Sequence, residues 1–254
     1  MLTSEPRPTE ADLTFRLADI PVRVSVWFWA VAALLGWNIS QAFARGEQRQ
    51  IVGYLIIWVG VVFVSIVVHE MGHALAYRRF GIDSRVVLVQ FGGITIPERW
   101  GGRSLRSPLQ RIVVSVAGPL AQLILTAVLV AVLRVGGYGV PFPIEAVGES
   151  LGLFEGEPFT SKVLFFAVFC LLQVNVFWPL LNLLPVPPLD GGQIMRESLL
   201  AAGVADASRV AAMIGVGTGG LVAWWAYSNG QPYMAFLFVA LAVSCYQSLQ
   251  GRWR

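Results

Sequence analysis

Residues 61–79 read VVFVSIVVHEMGHALAYRR. The stretch begins as an almost unbroken apolar run, turns to histidine and glutamate at positions 69–73, and closes on Arg78 and Arg79. With the apolar residues before it, the run exceeds the length of about 20 residues that a helix needs to cross a bilayer. It therefore predicts a membrane-spanning helix at about 51–77 with ionisable side chains in its second half.

The composition agrees with a membrane protein. Of the 254 residues, 56% are hydrophobic and 13% are charged, whereas a soluble domain has about 25% charged residues. A disordered chain would be more polar, and a disulfide-rich secreted domain would hold more than 2 cysteines. The sequence has no dense basic run with interleaved aromatic residues, so we expect no nucleic-acid partner. These exclusions leave a polytopic protein whose apolar faces contact the lipid bilayer.

Five further apolar segments of similar length predict the same structure elsewhere in the chain. The six predicted spans are 22–43, 51–77, 108–133, 162–184, 209–228 and 232–250. We expect a single all-α polytopic membrane domain over residues 1–254, with a polar segment at 1–21 and a membrane core at 22–250. Most of the 18 Arg and Lys residues fall in segments on one side of this arrangement. That asymmetry predicts that both termini are cytoplasmic.

A β-prone segment separates the second predicted span from the third. Residues 85–96 place two short runs rich in valine and isoleucine on either side of Gly92 and Gly93. A glycine pair between two such runs is typical of a tight turn, so the segment predicts a small β-hairpin on the cytoplasmic side. The edge of such a hairpin must be covered or used for pairing.

The chain has two histidines, His69 and His73, which are four residues apart and so share one helix face. That spacing lets two imidazoles bind one tetrahedral Zn²⁺, and it places Glu70 where metalloproteases keep the residue that takes a proton from the attacking water. A pattern this short also arises by chance on solvated helices. At membrane depth, however, a carboxylate and two imidazoles are costly, which favours a functional interpretation.

A second polar motif, NLLPVPPLDGG, runs from Asn182 to Gly192. Its three prolines end the fourth span, and its glycine pair predicts a tight turn before a short helix at about 193–201. Asp190 has two interpretations here, as the N-cap of that helix or as a metal ligand. The first motif favours the ligand, because a catalytic zinc usually has three protein ligands and the histidine pair supplies two.

A third motif, AGPLAQ at 117–122, lies in the third span. A Gly-Pro pair within a span bends the helix, so the motif predicts either a packing kink or a helix that approaches the histidine helix closely. Asn175 lies two helical turns before Asn182 and faces the same way. We interpret Asn175 as a hydrogen-bond partner of a neighbouring helix.

In order and spacing, these three motifs resemble those of the site-2 protease family of intramembrane zinc metalloproteases. The resemblance covers about residues 55–200 and implies one Zn²⁺ per chain, bound by His69, His73 and Asp190. It also implies Glu70 as general base and, more weakly, Asn182 as a contact of the scissile carbonyl. Relatives often have asparagine where this chain has Gln122, so the resemblance assigns that residue no role. We expect a core-only member, without the PDZ or CBS domain of some relatives.

The function that the resemblance implies is hydrolysis of peptide bonds within or near the transmembrane segments of membrane proteins, and the expected substrates are single-pass proteins. The expected location is the plasma membrane of a prokaryote. We expect the unwound substrate to add as a strand beside the hairpin, at Phe91, Gly92 and Gly93. Two alternatives stay open. One is another class of membrane zinc protease, such as the prenyl-protein-processing type, which takes a glutamate ligand from a downstream helix. The other is a non-catalytic membrane transporter or binding protein.

Overall fold

The fold is mostly helical. In the computed structural model, which describes residues 8–90, 92–98 and 104–251, six helices are long and apolar enough to cross a membrane, and they confirm the six predicted spans. Their bounds are α1 Val26–Ala44, α2 Gln48–Arg79, α3 Pro108–Val135, α5 Lys162–Asn182, α7 Ala207–Ser228 and α8 Pro232–Gln250. Two shorter helices, α4 Glu145–Ser150 and α6 Asp190–Ala201, lie in the connections before α5 and α7.

Four short strands form one sheet in the order β1-β2-β3-β4. Their bounds are β1 Leu13–Leu17, β2 Ile20–Val24, β3 Ser84–Val89 and β4 Gly92–Pro97. The strands β3 and β4 form the predicted hairpin and pair antiparallel. The expected place of its turn was wrong, because Gly92 and Gly93 are the first two residues of β4 and pair with Val89 and Leu88. Phe91, one of the three positions predicted for strand addition, lies outside the described residues.

The prediction for the N-terminal region was wrong between residues 13 and 25. These residues form the hairpin of β1 and β2, and β2 pairs parallel with β3, so α1 begins at Val26 rather than at residue 22. The reason is the alternation of Ile20, Val22 and Val24 with smaller or polar residues, a period of two that buries one face of a strand. All three side chains are buried. The predicted hairpin is thus half of a four-stranded sheet.

The buried face of the sheet packs against the histidine helix. Side chains of β2 and β3, including Val22 and Leu88, form one apolar cluster with Ile66, Met71 and Ala74 of α2. The helices α1, α3 and α5 also contact α2, which places it at the centre of the fold. Side chains on α2 therefore pack against the sheet on one side of the helix and against α1, α3 and α5 on the others.

The connection from α5 to α6 differs from the prediction. The short helix begins at Asp190 rather than near residue 193, so Gly191 and Gly192 lie in its first turn. A Cβ atom on Gly191 would come within 2.0 Å of the Leu183 carbonyl oxygen, and one on Gly192 within 2.3 Å of the Pro187 nitrogen. The glycine pair therefore serves the close approach of the preceding loop to α6, not a tight turn.

Candidate metal centre and cavity

His69 and His73 point into the centre of the fold from one face of α2. Both side chains are almost fully buried, as is that of Glu70 between them. The Nε2 atoms of the two imidazoles are 3.1 Å apart. The helical spacing of four residues therefore produces the close pair of nitrogen atoms that the sequence predicts.

Asp190, the first residue of α6, faces the same point. Its Oδ2 lies 3.1 Å from His69 Nε2, and its Oδ1 lies 3.4 Å from His73 Nε2. The N-cap position of α6 is Leu189, and no side chain caps the helix. Of the two sequence interpretations of Asp190, the geometry favours the metal ligand.

A hydrogen bond at the Nδ1 atom of each imidazole fixes the tautomer of that ring. His69 Nδ1 lies 2.8 Å from Gln122 Oε1, and His73 Nδ1 lies 2.7 Å from the carbonyl oxygen of Val114. Both partners accept hydrogen bonds, so each Nδ1 must carry the proton and donate. In the neutral imidazoles, both Nε2 atoms then direct lone pairs at each other and at the carboxylate of Asp190. Such an arrangement is repulsive unless a cation or a further proton lies between the three groups.

The donor set fits Zn²⁺ in size and in chemistry. Nitrogen and oxygen ligands about 2.0–2.1 Å from a tetrahedral zinc lie about 3.3 Å from one another. The three distances among His69, His73 and Asp190 are 3.1 to 3.4 Å. Glu70 also has an oxygen atom within 4.8 Å of the ligand atoms of both histidines. One of its carboxylate oxygens accepts a hydrogen bond from Thr95 of β4 instead.

Glu70 is held by strand β4. Thr95 Oγ1 lies 2.7 Å from Glu70 Oε2 and 3.0 Å from the Glu70 carbonyl oxygen, and the hydroxyl can donate to either. Gly93 lets the carboxylate lie against the strand, because a Cβ atom there would come within 2.3 Å of Glu70 Cγ. No pattern in the sequence indicates a role for Thr95. Its hydroxyl reaches Glu70 only through the packing of β4 on α2, which no local pattern shows.

Gln122 is a second residue whose role no sequence pattern indicates. It is fully buried, accepts from His69 through Oε1, and donates through Nε2 to the Ser65 carbonyl oxygen and Asn175 Oδ1. Asn175 in turn donates to Ser65 Oγ. This network joins α2, α3 and α5, and it confirms the interpretation of Asn175 as a partner between helices. A polar side chain in mid-span was the available signal for Gln122.

The motif at 117–122 brings α3 close to α2. A Cβ atom on Gly118 would come within 2.2 Å of His73 Nε2, and one on Gly72 would come within 2.4 Å of the Ala117 carbonyl oxygen. Pro119 lies inside α3 and is buried. The structure thus favours the close-approach interpretation over a simple packing kink, because the glycine makes room for the imidazole of His73.

A cavity of about 480 Å³ opens over His69, Glu70, His73 and Asp190. Asn182, the last residue of α5, lines it, and the Asn182 amide has no hydrogen-bond partner among the described residues. Gly92 and Gly93 also line the cavity. The structure therefore brings every described residue of the predicted site to one cavity.

Comparison with known proteins identifies one family of peptidases. A family model described as Peptidase family M50 matches residues 57–223. Rip3 of Mycobacterium tuberculosis is 29% identical over 222 residues, which are 80% of this chain and 50% of that protein. The zinc metalloprotease MJ0392 of Methanocaldococcus jannaschii is 22% identical over 209 residues, 79% of this chain and 49% of that protein. The chain thus spans about half the length of these curated relatives.

The fold also has a solved neighbour. The structure of a site-2 protease from Methanocaldococcus jannaschii superposes with a TM-score of 0.58, covering 94% of this chain and 95% of that one at 18% sequence identity. At this identity the likeness concerns the fold alone.

Proposed function

Because the chain belongs to peptidase family M50, we propose that it is an intramembrane zinc metalloprotease. The single observation that carries the proposal is the convergence of His69 Nε2, His73 Nε2 and the Asp190 carboxylate at 3.1 to 3.4 Å in a cavity among membrane helices. His69, His73 and Asp190 would hold one Zn²⁺ per chain, and Glu70 would lie next to it. When bound, zinc supplies Lewis acidity, which polarises the scissile carbonyl and lets water lose a proton near neutral pH.

Glu70 is the general base of the proposed reaction. Its carboxylate would accept a proton from the attacking water and then deliver that proton to the leaving amine nitrogen. The hydrogen bond from Thr95 holds one carboxylate oxygen, which leaves the other for proton transfer. Burial between α2 and β4 keeps this oxygen beside the donor set rather than in bulk water.

Asn182 is proposed to contact the scissile carbonyl. Its side-chain amide lines the cavity and can donate a hydrogen bond to a carbonyl oxygen, or to the negative charge that develops on that oxygen during attack.

Strand β4 offers an edge to the substrate. The Glu98 N–H donates to the Asp83 carbonyl, so in the antiparallel ladder with β3 the backbone groups of Gly93 and Thr95 turn away from β3. Both residues line the cavity. An unwound substrate that pairs with these groups would lie across the cavity beside Glu70. This supports strand addition at Gly93, whereas the backbone groups of Gly92 face β3 in the same ladder. Gly92 and Phe91 remain part of the proposal from sequence.

N-methylation of the substrate backbone tests strand addition without changing the enzyme. In a peptide bound as a strand, every second N–H pairs with the edge. Methylation of successive residues around the scissile bond should lower kcat/KM about tenfold or more at alternate positions and much less at those between. The same peptides with side-chain methyl groups added are the control. Losses without a period of two would contradict pairing with β4.

Substitution of Gln122 by Met tests the support of His69. Met has a similar length but cannot accept from His69 Nδ1, and it leaves Asn175 with one partner fewer. Loss of such an outer hydrogen bond lowers metal affinity by about 10- to 100-fold, so we expect a loss of that size in zinc competition with a chelator. Gln247→Met, at an exposed position on α8, is the control. Unchanged affinity in Gln122→Met would contradict the role of this residue.

We propose that the substrates are single-pass membrane proteins, which are cleaved within or near the transmembrane segment. We propose the plasma membrane of a prokaryote as the location, with both termini in the cytoplasm. The distribution of Arg and Lys supports that orientation.

Mass spectrometry of membrane peptides tests the function as a whole. Cells that express the native chain are compared with cells that express Glu70→Gln. Peptides whose new ends occur only with the native chain identify substrates and scissile bonds together. If the two peptide sets are identical, the protein does not hydrolyse membrane proteins in those cells, and the proposed function is rejected for them.

A further inference from the structure

One end of the cavity carries charges that the proposed reaction does not use. Arg111 of α3 and the adjacent pair Arg196 and Glu197 of α6 line the cavity at this place. Glu197 is seven residues beyond Asp190, and Arg111 is seven residues before Gly118, the neighbour of His73. At 1.5 Å per residue, both lie about 10 Å along their helices from the level of the metal ligands. We call these three residues the arginine end of the cavity.

The two arginines are fixed by one buried carboxylate. Arg111 Nε donates to Glu197 Oε2 at 2.6 Å, and Arg196 Nε and Nη2 donate to Glu197 Oε1 at 3.2 and 2.5 Å. The Glu197 side chain is 1% exposed, whereas those of Arg111 and Arg196 are 35% and 38% exposed. Burial raises the pKa of the Glu197 carboxyl, but the hydrogen bonds from the two guanidinium groups outweigh burial and lower it below its usual value.

The arginine end holds more positive charge than its carboxylate can neutralise. Two guanidinium groups against one carboxylate leave a net charge of +1. Arg111 Nη1 donates to the Leu105 carbonyl, so Arg111 Nη2 and Arg196 Nη1 have no partner among the described residues. Because the hydrogen bonds to Glu197 restrain both arginines, these donors are held in place before any ligand binds. Binding of an anion to these donors would therefore cost little side-chain entropy.

We propose that the arginine end is a subsite for an acidic side chain of the substrate. The inference rests on the proposed function, since it takes the cavity to hold a cleaved chain. An extended chain rises about 3.3 Å per residue, so a distance of about 10 Å corresponds to about three residues. A carboxylate about three residues from the scissile bond would then reach Arg196 and Arg111. Planar guanidinium groups suit a carboxylate, which can accept two hydrogen bonds side by side.

The other explanation of these residues is a purely structural ion pair, here called a tie, that connects two helices. Arg111 lies near the start of α3 and Glu197 lies on α6, so their ion pair would hold the two helices together even if no substrate ever touched it. A tie affects all substrates equally. A subsite separates substrates by the charge of one residue, and it should reverse its preference when its own charge is reversed.

Charge-reversed specificity is the test. Matched peptides carry Glu, Gln or Lys at each position within four residues of a known scissile bond, and kcat/KM is measured on the same preparation of full-length enzyme in liposomes. We expect native enzyme to prefer Glu over Gln about five- to tenfold at one position, about three residues from the bond, as suits a half-exposed charge pair. Arg196→Gln should bring this ratio close to one. Arg196→Glu should favour Lys over Glu at the same position.

The ratios do not depend on the fraction of protein that folds, because both peptides meet the same sample. Arg106→Gln removes an equal charge from an exposed position outside the cavity lining, and it should keep the native ratio. Binding supplies a second readout: in the Glu70→Gln protein, the Kd ratio of the Glu and Gln peptides should follow the kinetic ratio.

Two kinds of failure are distinguishable. If native enzyme cleaves Glu, Gln and Lys peptides equally at every position, the subsite is rejected while the protease stands. If native enzyme cleaves none of the peptides and the Glu70→Gln protein binds none, the proposed function itself fails.

Discussion

Replacement of Glu70 by Gln is expected to lower the rate of peptide cleavage about 10³-fold while the protein keeps its zinc. The amide has the shape of the carboxylate, and its oxygen can still accept the hydrogen bond from Thr95, so the packing between α2 and β4 should persist. It cannot accept a proton, however, and loss of a general base costs about 10² to 10⁴ in rate. Cleavage of a membrane peptide in liposomes and the zinc content of the purified protein are the two measurements.

The control for this substitution is Glu145→Gln, at an exposed position on α4. It removes the same charge outside the cavity lining and should leave both measurements unchanged. If Glu70→Gln cleaved within tenfold of the native rate, Glu70 would not be the base, and the proposed mechanism would have to be abandoned.

Replacement of Asp190 by Ala is expected to remove the metal itself. Without its carboxylate, the donor set would keep only the two imidazoles, and the carboxylate of Glu70 is held beside them by Thr95. Loss of a direct ligand should exceed the 10- to 100-fold effect of losing an outer hydrogen bond, so we expect zinc affinity to fall about 100-fold or more. Zinc competition with a chelator measures the affinity, and cleavage should disappear together with the metal.

Asp83→Ala removes an exposed carboxylate from the residue before β3 and is the matched control. Full zinc content in Asp190→Ala would mean that a carboxylate on another helix completes the site, as in the prenyl-protein-processing type of membrane protease. Native protein that binds no zinc would favour the transporter or binding-protein alternative instead.

The amino-acid sequence predicted the parts of this molecule that depend on local patterns. The spans follow from runs of apolar residues, and the pairing of His69 with His73 follows from a spacing of four within one helix. Asp190 is 117 residues beyond His73, so spacing alone could not bring it to the histidines. The need of a catalytic zinc for a third protein ligand, together with the resemblance to the site-2 protease family, supplied that expectation, and the structure brings the three side chains together.

Other parts were out of reach because they depend on contacts between distant segments. The strand Ile20–Val24 pairs with β3, more than 60 residues away, and Leu13–Leu17 pairs with Ile20–Val24. The apolar alternation of Ile20–Val24 merged with the span that follows. Gln122 meets His69, and Thr95 meets Glu70, only where one element packs on another. A polar residue within a span marks a position of interest, but its partner is decided by helix packing.

The parallel pairing of β2 with β3 constrains how the chain is threaded. Backbone hydrogen bonds between two strands cannot reach through the apolar interior of a bilayer, so β2 and β3 must emerge on the same face. Between them lie α1 and α2, the first two candidate spans. The number of crossings between the strands must therefore be even, which α1 and α2 satisfy as an out-and-back pair. The sheet thus indicates, without any count of arginines, that β2 and β3 lie on the same side of the membrane. The pairing of β2 with β3 can form only after α1 and α2 have both crossed the bilayer.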